Sequence, residues 1–165
     1  MKPILIAGIG NIFLGDDAFG VEAVRALVCR DLPPGVIVRD FGIRCLDLAF
    51  VLTQDWQAVI VLDAVGRGQP PGTLYRIELD LDSVPTQPLD AHTVSVAHVQ
   101  SLARQMSLRL PPMLLIGCEP LQFDPVCGDG PMLSPSLAAA LPRALAMTEA
   151  VIHDLLASQY EEVEA

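Results

Sequence analysis

Two stretches of this chain are apolar with no in-and-out alternation. Residues 3–9 carry no polar side chain, and residues 58–65 are broken only by Asp63. A strand apolar on both faces must be covered on both faces, which is the setting of the central strands in a parallel α/β sheet. Both runs are far shorter than the ~18–20 residues of a membrane span. The rest of the chain alternates in the same sense. Phe19, Val21, Val24, Leu27 and Val28 recur at helical spacing, and the Asp31-Leu32-Pro33-Pro34-Gly35 break ends them. Residues 36–41 read as a second strand and 46–53 as a short helix. After the Pro70-Pro71-Gly72 turn, residues 73–79 alternate apolar and polar, as a half-exposed antiparallel edge strand does. Residues 80–92 are polar. Residues 94–107 read as a helix, 112–118 as a fifth strand and 119–133 as a long loop. Residues 134–158 form a final helix with Pro142 expected to kink it. The expectation is α/β: a three-layer α/β/α sandwich around a five-stranded, mostly parallel sheet with one antiparallel strand. One domain, residues 1–158, is followed by an acidic, frayed tail, 159–165.

Charge narrows the functions. Ten basic and 20 acidic residues give a net charge of −10, which argues against nucleic acid or an anionic membrane surface as a partner. Lys2 is the only lysine, so Schiff-base chemistry and a phosphate-loop lysine elsewhere are excluded. Cys29, Cys45, Cys118 and Cys127 form no C-x-x-C pair. With no export signal recognised, a reduced, cytoplasmic setting is expected, without membrane insertion.

In a sheet of this kind ligands bind at the carboxyl ends of the strands, where strand order reverses. If the first strand lies between the second and third, the loops after the first and third strands flank that crevice. Asp16 and Asp17 follow the first strand, and Asp63 ends the third. Asp16 is expected to cap the following helix; one cap cannot easily use both acids, so Asp17 needs another role. Asp63 would be costly to bury unpaired, and its structural alternative is a cap on the following loop. His98 and His153 fall inside helices, where packed or solvated faces account for them. His92 falls in a loop and is a candidate for metal or acid–base work, its alternative being a contact at the next helix's N-terminus. Asp17, Asp63 and His92 together would suit a divalent transition metal with open positions.

Competing patterns fail on single residues. Gly8-Ile9-Gly10, with Asp40 ending the second strand, hints at a dinucleotide fingerprint, but Phe13 stands where its third glycine belongs. Neither a G-x-S-x-G elbow nor an H-E-x-x-H pair is present. Cys118 reads as a packed thiol. A non-enzymatic receiver-like or flavodoxin-like binding module is the alternative class. A receiver would need a lysine after the fifth strand, where Cys118-Glu119 stands.

The run Gly8-Ile9-Gly10-Asn11-Ile12-Phe13-Leu14-Gly15-Asp16-Asp17-Ala18-Phe19-Gly20-Val21 resembles the opening signature of the hydrogenase maturation endopeptidases. The likeness continues at Val61-Leu62-Asp63-Ala64-Val65, Pro71-Gly72-Thr73, Asp90-Ala91-His92 and Gly117-Cys118-Glu119-Pro120. It implies an endopeptidase, of aspartic or metal-assisted type, that removes a C-terminal extension from a nickel-iron hydrogenase large-subunit precursor after nickel insertion. It implies that Asp17, Asp63 and His92 form the catalytic and metal-binding triad, meeting at the carboxyl edge of the sheet. Nickel would come with the substrate, with zinc or cadmium as surrogates. The protein is expected to work as a monomer. Two departures stand out: Ala18 replaces a common glycine, and Phe41-Gly42-Ile43-Arg44-Cys45 replaces a Gly/Thr-rich loop. Arg44 in that loop offers a fork for a carboxylate or carbonyl of the substrate. The alternative is a loop that simply packs Ile43 and Leu46.

Overall fold

The apolar run at the start forms β1 (Ile4–Ile9), in which all six residues are buried. β3 (Ala58–Ala64) is likewise buried throughout, Asp63 included. In the computed structural model, which describes residues 2–79, 96–106, 109–125 and 133–163, these two strands pair in parallel. The other elements in chain order are α1 (Phe19–Val28), β2 (Val36–Gly42), α2 (Cys45–Val51), β4 (Leu74–Leu79), α3 (Val96–Met106), β5 (Met113–Cys118) and α4 (Pro135–Val163). A 3-10 turn at Gly15–Ala18 leads into α1.

Among the described residues the five strands make one sheet in the order β2-β1-β3-β5-β4. The β1–β2, β1–β3 and β3–β5 pairs are parallel, and β4 runs antiparallel to β5 at the edge. That is the expected mixed sheet with one antiparallel strand. Strand side chains alternate between two cores. Ile4, Ile6, Ile60, Leu62 and Ile116 join α1 and α4 on one face. Leu5, Ala7, Val59, Val61 and Leu115 join α2 and α3 on the other. Full burial on both faces is why β1 and β3 carry continuous apolar runs.

Boundaries shift by a few residues. The final helix reaches Val163, five residues past the expected end, and Pro142 lies inside it. Ala18 sits at ordinary helical angles, φ −69°, ψ −6°, so the family's usual glycine is not required there. With β1 flanked by β2 on one side and β3 on the other, the connection from β1 to β2 runs one way along the sheet and that from β2 to β3 crosses back the other way. The crevice therefore opens between the carboxyl ends of β1 and β3.

Candidate active site

Two glycines let the backbone close over this crevice. A Cβ added at Gly20 would lie 2.0 Å from the Leu62 carbonyl oxygen and 2.4 Å from that of Ile9. The start of α1 thus rests directly on the ends of β1 and β3, where only hydrogen fits. Gly10, the first residue after β1, has φ +129°, and a Cβ there would come within 1.8 Å of the Asp17 carbonyl oxygen. The chain leaves β1, turns, and brings Asp17 back against its own exit point.

Asp17 is half-buried there, and the backbone N–H of Asn11 donates to its Oδ2 at 2.7 Å. Burial raises its pKa from the usual carboxylate value, and the Asn11 N–H works against that rise. Asp63 is 5% exposed. Burial first, and then the charge of Asp17, push its pKa well above the ordinary range, although the Ala64 N–H opposes the shift. Two carboxylates that feel each other at a strand-end crevice, with the deeper one inclined to hold a proton, form a pair suited to acid–base work or to a cation. Cys45, at the start of α2, also faces this centre: burial raises its thiol pKa, and the charge of Asp63 adds to the rise. His92 lies outside the described residues, as does Cys127. Among the described residues no group of three His, Cys, Asp or Glu side chains is arranged to hold a metal ion.

Asp16 corrects the sequence reading. It is fully buried and makes no helix cap: neither the 3-10 turn nor α1 has a side-chain cap hydrogen bond. Instead its carboxylate accepts from the backbone N–H groups of Leu121 (2.8 Å), Gln122 (3.4 Å) and Ser134 (2.7 Å). It ties the loop after β5 and the start of α4 to the turn after β1. Glu119 was quoted only as part of a motif, and it has a comparable task. It is buried, and it accepts from the N–H groups of Arg67 and Gly68 and from the Tyr75 hydroxyl. Burial opposes its ionisation, yet Tyr75 and the Arg67, Gly68 and Gln69 N–H groups outweigh that and hold its pKa below the usual value. The loop that follows Asp63 is thereby fixed to the end of β5.

Cys118 is buried and its thiol is pushed up to about 12, by burial and then by the charge of Asp16, so it stays protonated as a packed thiol. His98 is half-buried on α3 and His153 is exposed on α4. Arg44 is less available than a free fork: its Nε donates to the Phe41 carbonyl at 3.1 Å and its Nη2 to the Asp40 carbonyl. Nor does the loop pack its apolar residues, since Ile43 is 60% and Leu46 63% exposed.

The family model for hydrogenase maturation proteases (HycI) matches residues 21–151. The chain belongs to the hydrogenase maturation protease family. The hydrogenase expression/formation protein HupD of Rhodobacter capsulatus is 33% identical over 152 residues, covering 88% of this chain and 70% of its own length. Hydrogenase 2 maturation protease of Escherichia coli (strain K12) is 29% identical over 145 residues, covering 87% and 88%. The solved structure of the E. coli hydrogenase maturating endopeptidase HybD aligns at a TM-score of 0.76 with 30% identity over 92% of this chain and 93% of that one. Membership in this protease family does not favour the receiver-like or flavodoxin-like alternative. In this maturation protease the helix start, the two glycines and the two acids occupy one edge of the sheet. Among the described residues no helix is long and apolar enough to cross a membrane.

Proposed function

We propose that this protease cleaves the C-terminal extension from a nickel-iron hydrogenase large-subunit precursor once nickel is in place, acting in the cytoplasm as a monomer. The observation that carries the reading is the coupled pair Asp17 and Asp63 at the β1/β3 crevice of a chain in this family. Asp17, Asp63 and His92 serve as the site for the nickel that the substrate already holds. Three protein ligands leave positions open for substrate groups, water or the scissile carbonyl. The cation lends Lewis acidity to that carbonyl or to the attacking water. Asp63 has to give up the proton that burial and Asp17 favour, so engagement of nickel weakens as pH falls. The Asn11 N–H holds Asp17 in one orientation for that encounter.

The test is incubation with a large-subunit precursor, with and without nickel, read by intact mass. Loss of the C-terminal peptide is expected from the nickel-loaded precursor alone. Equal cleavage of the nickel-free precursor would contradict a substrate-held metal, and no cleavage of either would contradict the function. The dialysed protease itself is expected to retain less than one equivalent of nickel by elemental analysis.

A further inference from the structure

The chain carries a net charge of −10, yet large apolar side chains stand exposed just after β1, β2 and β5. Phe13 is 70% exposed, Leu121 54% and Phe123 45%, while Ile43 and Leu46 stand out on the other flank. Single exposed apolar residues need no explanation, but a gathering of them at one functional edge marks an interaction surface. These are held in place. The Phe13 N–H donates to Asn11 Oδ1 at 3.0 Å, and the N–H of the same Asn11 donates to Asp17, so one residue links the exposed ring to the catalytic acid. The Leu121 N–H is bound by the buried Asp16 carboxylate. A Cβ at Gly15 would lie 3.2 Å from the Asp124 carbonyl oxygen, so the loops bearing Phe13 and Phe123 lie against each other. On the opposite flank, Arg44 donates to the carbonyls of Asp40 and Phe41, which fixes the turn into α2, with Ile43 before the helix and Leu46 in its first turn both exposed. Cys45 between them lies within reach of the charge of Asp63. The strand order places the β2 loop on one side of the β1/β3 crevice and the β5 loop on the other.

We propose that these two patches are the docking surface for the C-terminal segment of the precursor. Apolar residues of that segment seat on Phe13, Leu121 and Phe123 on one side of the scissile bond, and on Ile43 and Leu46 on the other. The inference rests on the protease reading above. A protease has to admit an extended chain to its acids, and the segments that carry both patches leave the same carboxyl edge of the sheet as the acids do. A second copy of this chain is a poorer occupant: it would cover the acid pair and bring together two chains that each carry a net charge of −10.

Steady-state cleavage of nickel-loaded precursor tests this with two double variants, Phe13→Ser with Leu121→Ser, and Ile43→Ser with Leu46→Ser. Each should raise KM by ~10-fold or more, as loss of one or two buried apolar contacts does, with kcat within about twofold. Their melting temperatures should match the parent, because the side chains are exposed. Phe13→Leu should restore most of the affinity, and Val28→Ser, on an exposed residue at the far end of α1, should change nothing. Unchanged KM in both double variants while the parent cleaves overturns the docking surface and leaves the protease reading intact. No cleavage by the parent overturns the reading beneath it. A parental dimer in light scattering that these variants dissociate would assign the patches to a second copy and also overturn the proposal.

Discussion

A buried carboxylate persists only where donors or a proton neutralise it, and the acids of this site meet that condition in different ways. Asp16 has three backbone N–H partners. Asp16→Ala strands all three, so the expected cost is ~3 kcal/mol or more rather than the ~1 kcal/mol of a lost helix cap. Asp16→Asn keeps one acceptor oxygen and should fall between. Thermal melts should rank parent above Asn above Ala, and an Ala variant within ~1 kcal/mol of the parent would contradict the clamp. Asp63 has the Ala64 N–H as a backbone donor, while burial and the Asp17 charge favour its protonated form. Burial and the Asp17 charge place its folded pKa above the unfolded 3.8, so between those values the folded state binds a proton that the unfolded chain has released. Stability contributed by this group is therefore present at low pH and is lost as pH rises through the folded pKa, by at most ~1.4 kcal/mol per pH unit. Asp63→Asn should remove that slope and melt above the parent at pH 8. A parent and variant whose difference stays constant from pH 4 to 8 would contradict it. The sequence singles out Asp63 as the one acid in an apolar strand and Asp17 as the second of two acids in the segment after β1. The role of Asp16 is not legible there, since its partners lie 105 to 118 residues away, beyond any local pattern.

At the level of elements, the seating of α1 decides where Asp17 stands. Helix propensity favours Ala over Gly by ~1 kcal/mol, so propensity alone says Gly20→Ala stabilises. The Leu62 and Ile9 carbonyl oxygens, 2.0 and 2.4 Å from the added Cβ, say the opposite. Backbone on both sides cannot yield as a flexible side chain would, and overpacking of this kind costs ~1–3 kcal/mol or more. Gly20→Ala should lower the urea midpoint and cut cleavage; a midpoint equal to or above the parent would show that α1 is not seated this way. The strands and helices themselves were legible because period and punctuation agree along the chain, as the continuous runs of β1 and β3 and the alternation of β4 illustrate. The Gly15–Ala18 turn leaves no such mark in the sequence. It has no hydrophobic period, and its shape comes from Gly15 at φ +52° and from Asp16 reaching across the fold. Glu119 was missed as an anchor for a related reason. Three of its donors are backbone N–H groups about 50 residues earlier in the chain, and backbone donors leave no mark in a sequence.

For the whole molecule, a sheet order with β1 between β2 and β3 brings together acids 46 positions apart in sequence, Asp17 and Asp63. Asp16 and Glu119 then fix the loops around them. The central claim is that cleavage requires this pair of acids. Its most direct measurement is the intact mass of a nickel-loaded large-subunit precursor after incubation with the parent and with Asp63→Asn at matched concentration, both verified as folded by thermal melt. The account predicts loss of the C-terminal peptide with the parent and an unchanged mass with Asp63→Asn; cleavage by the folded variant at the parental rate would contradict it.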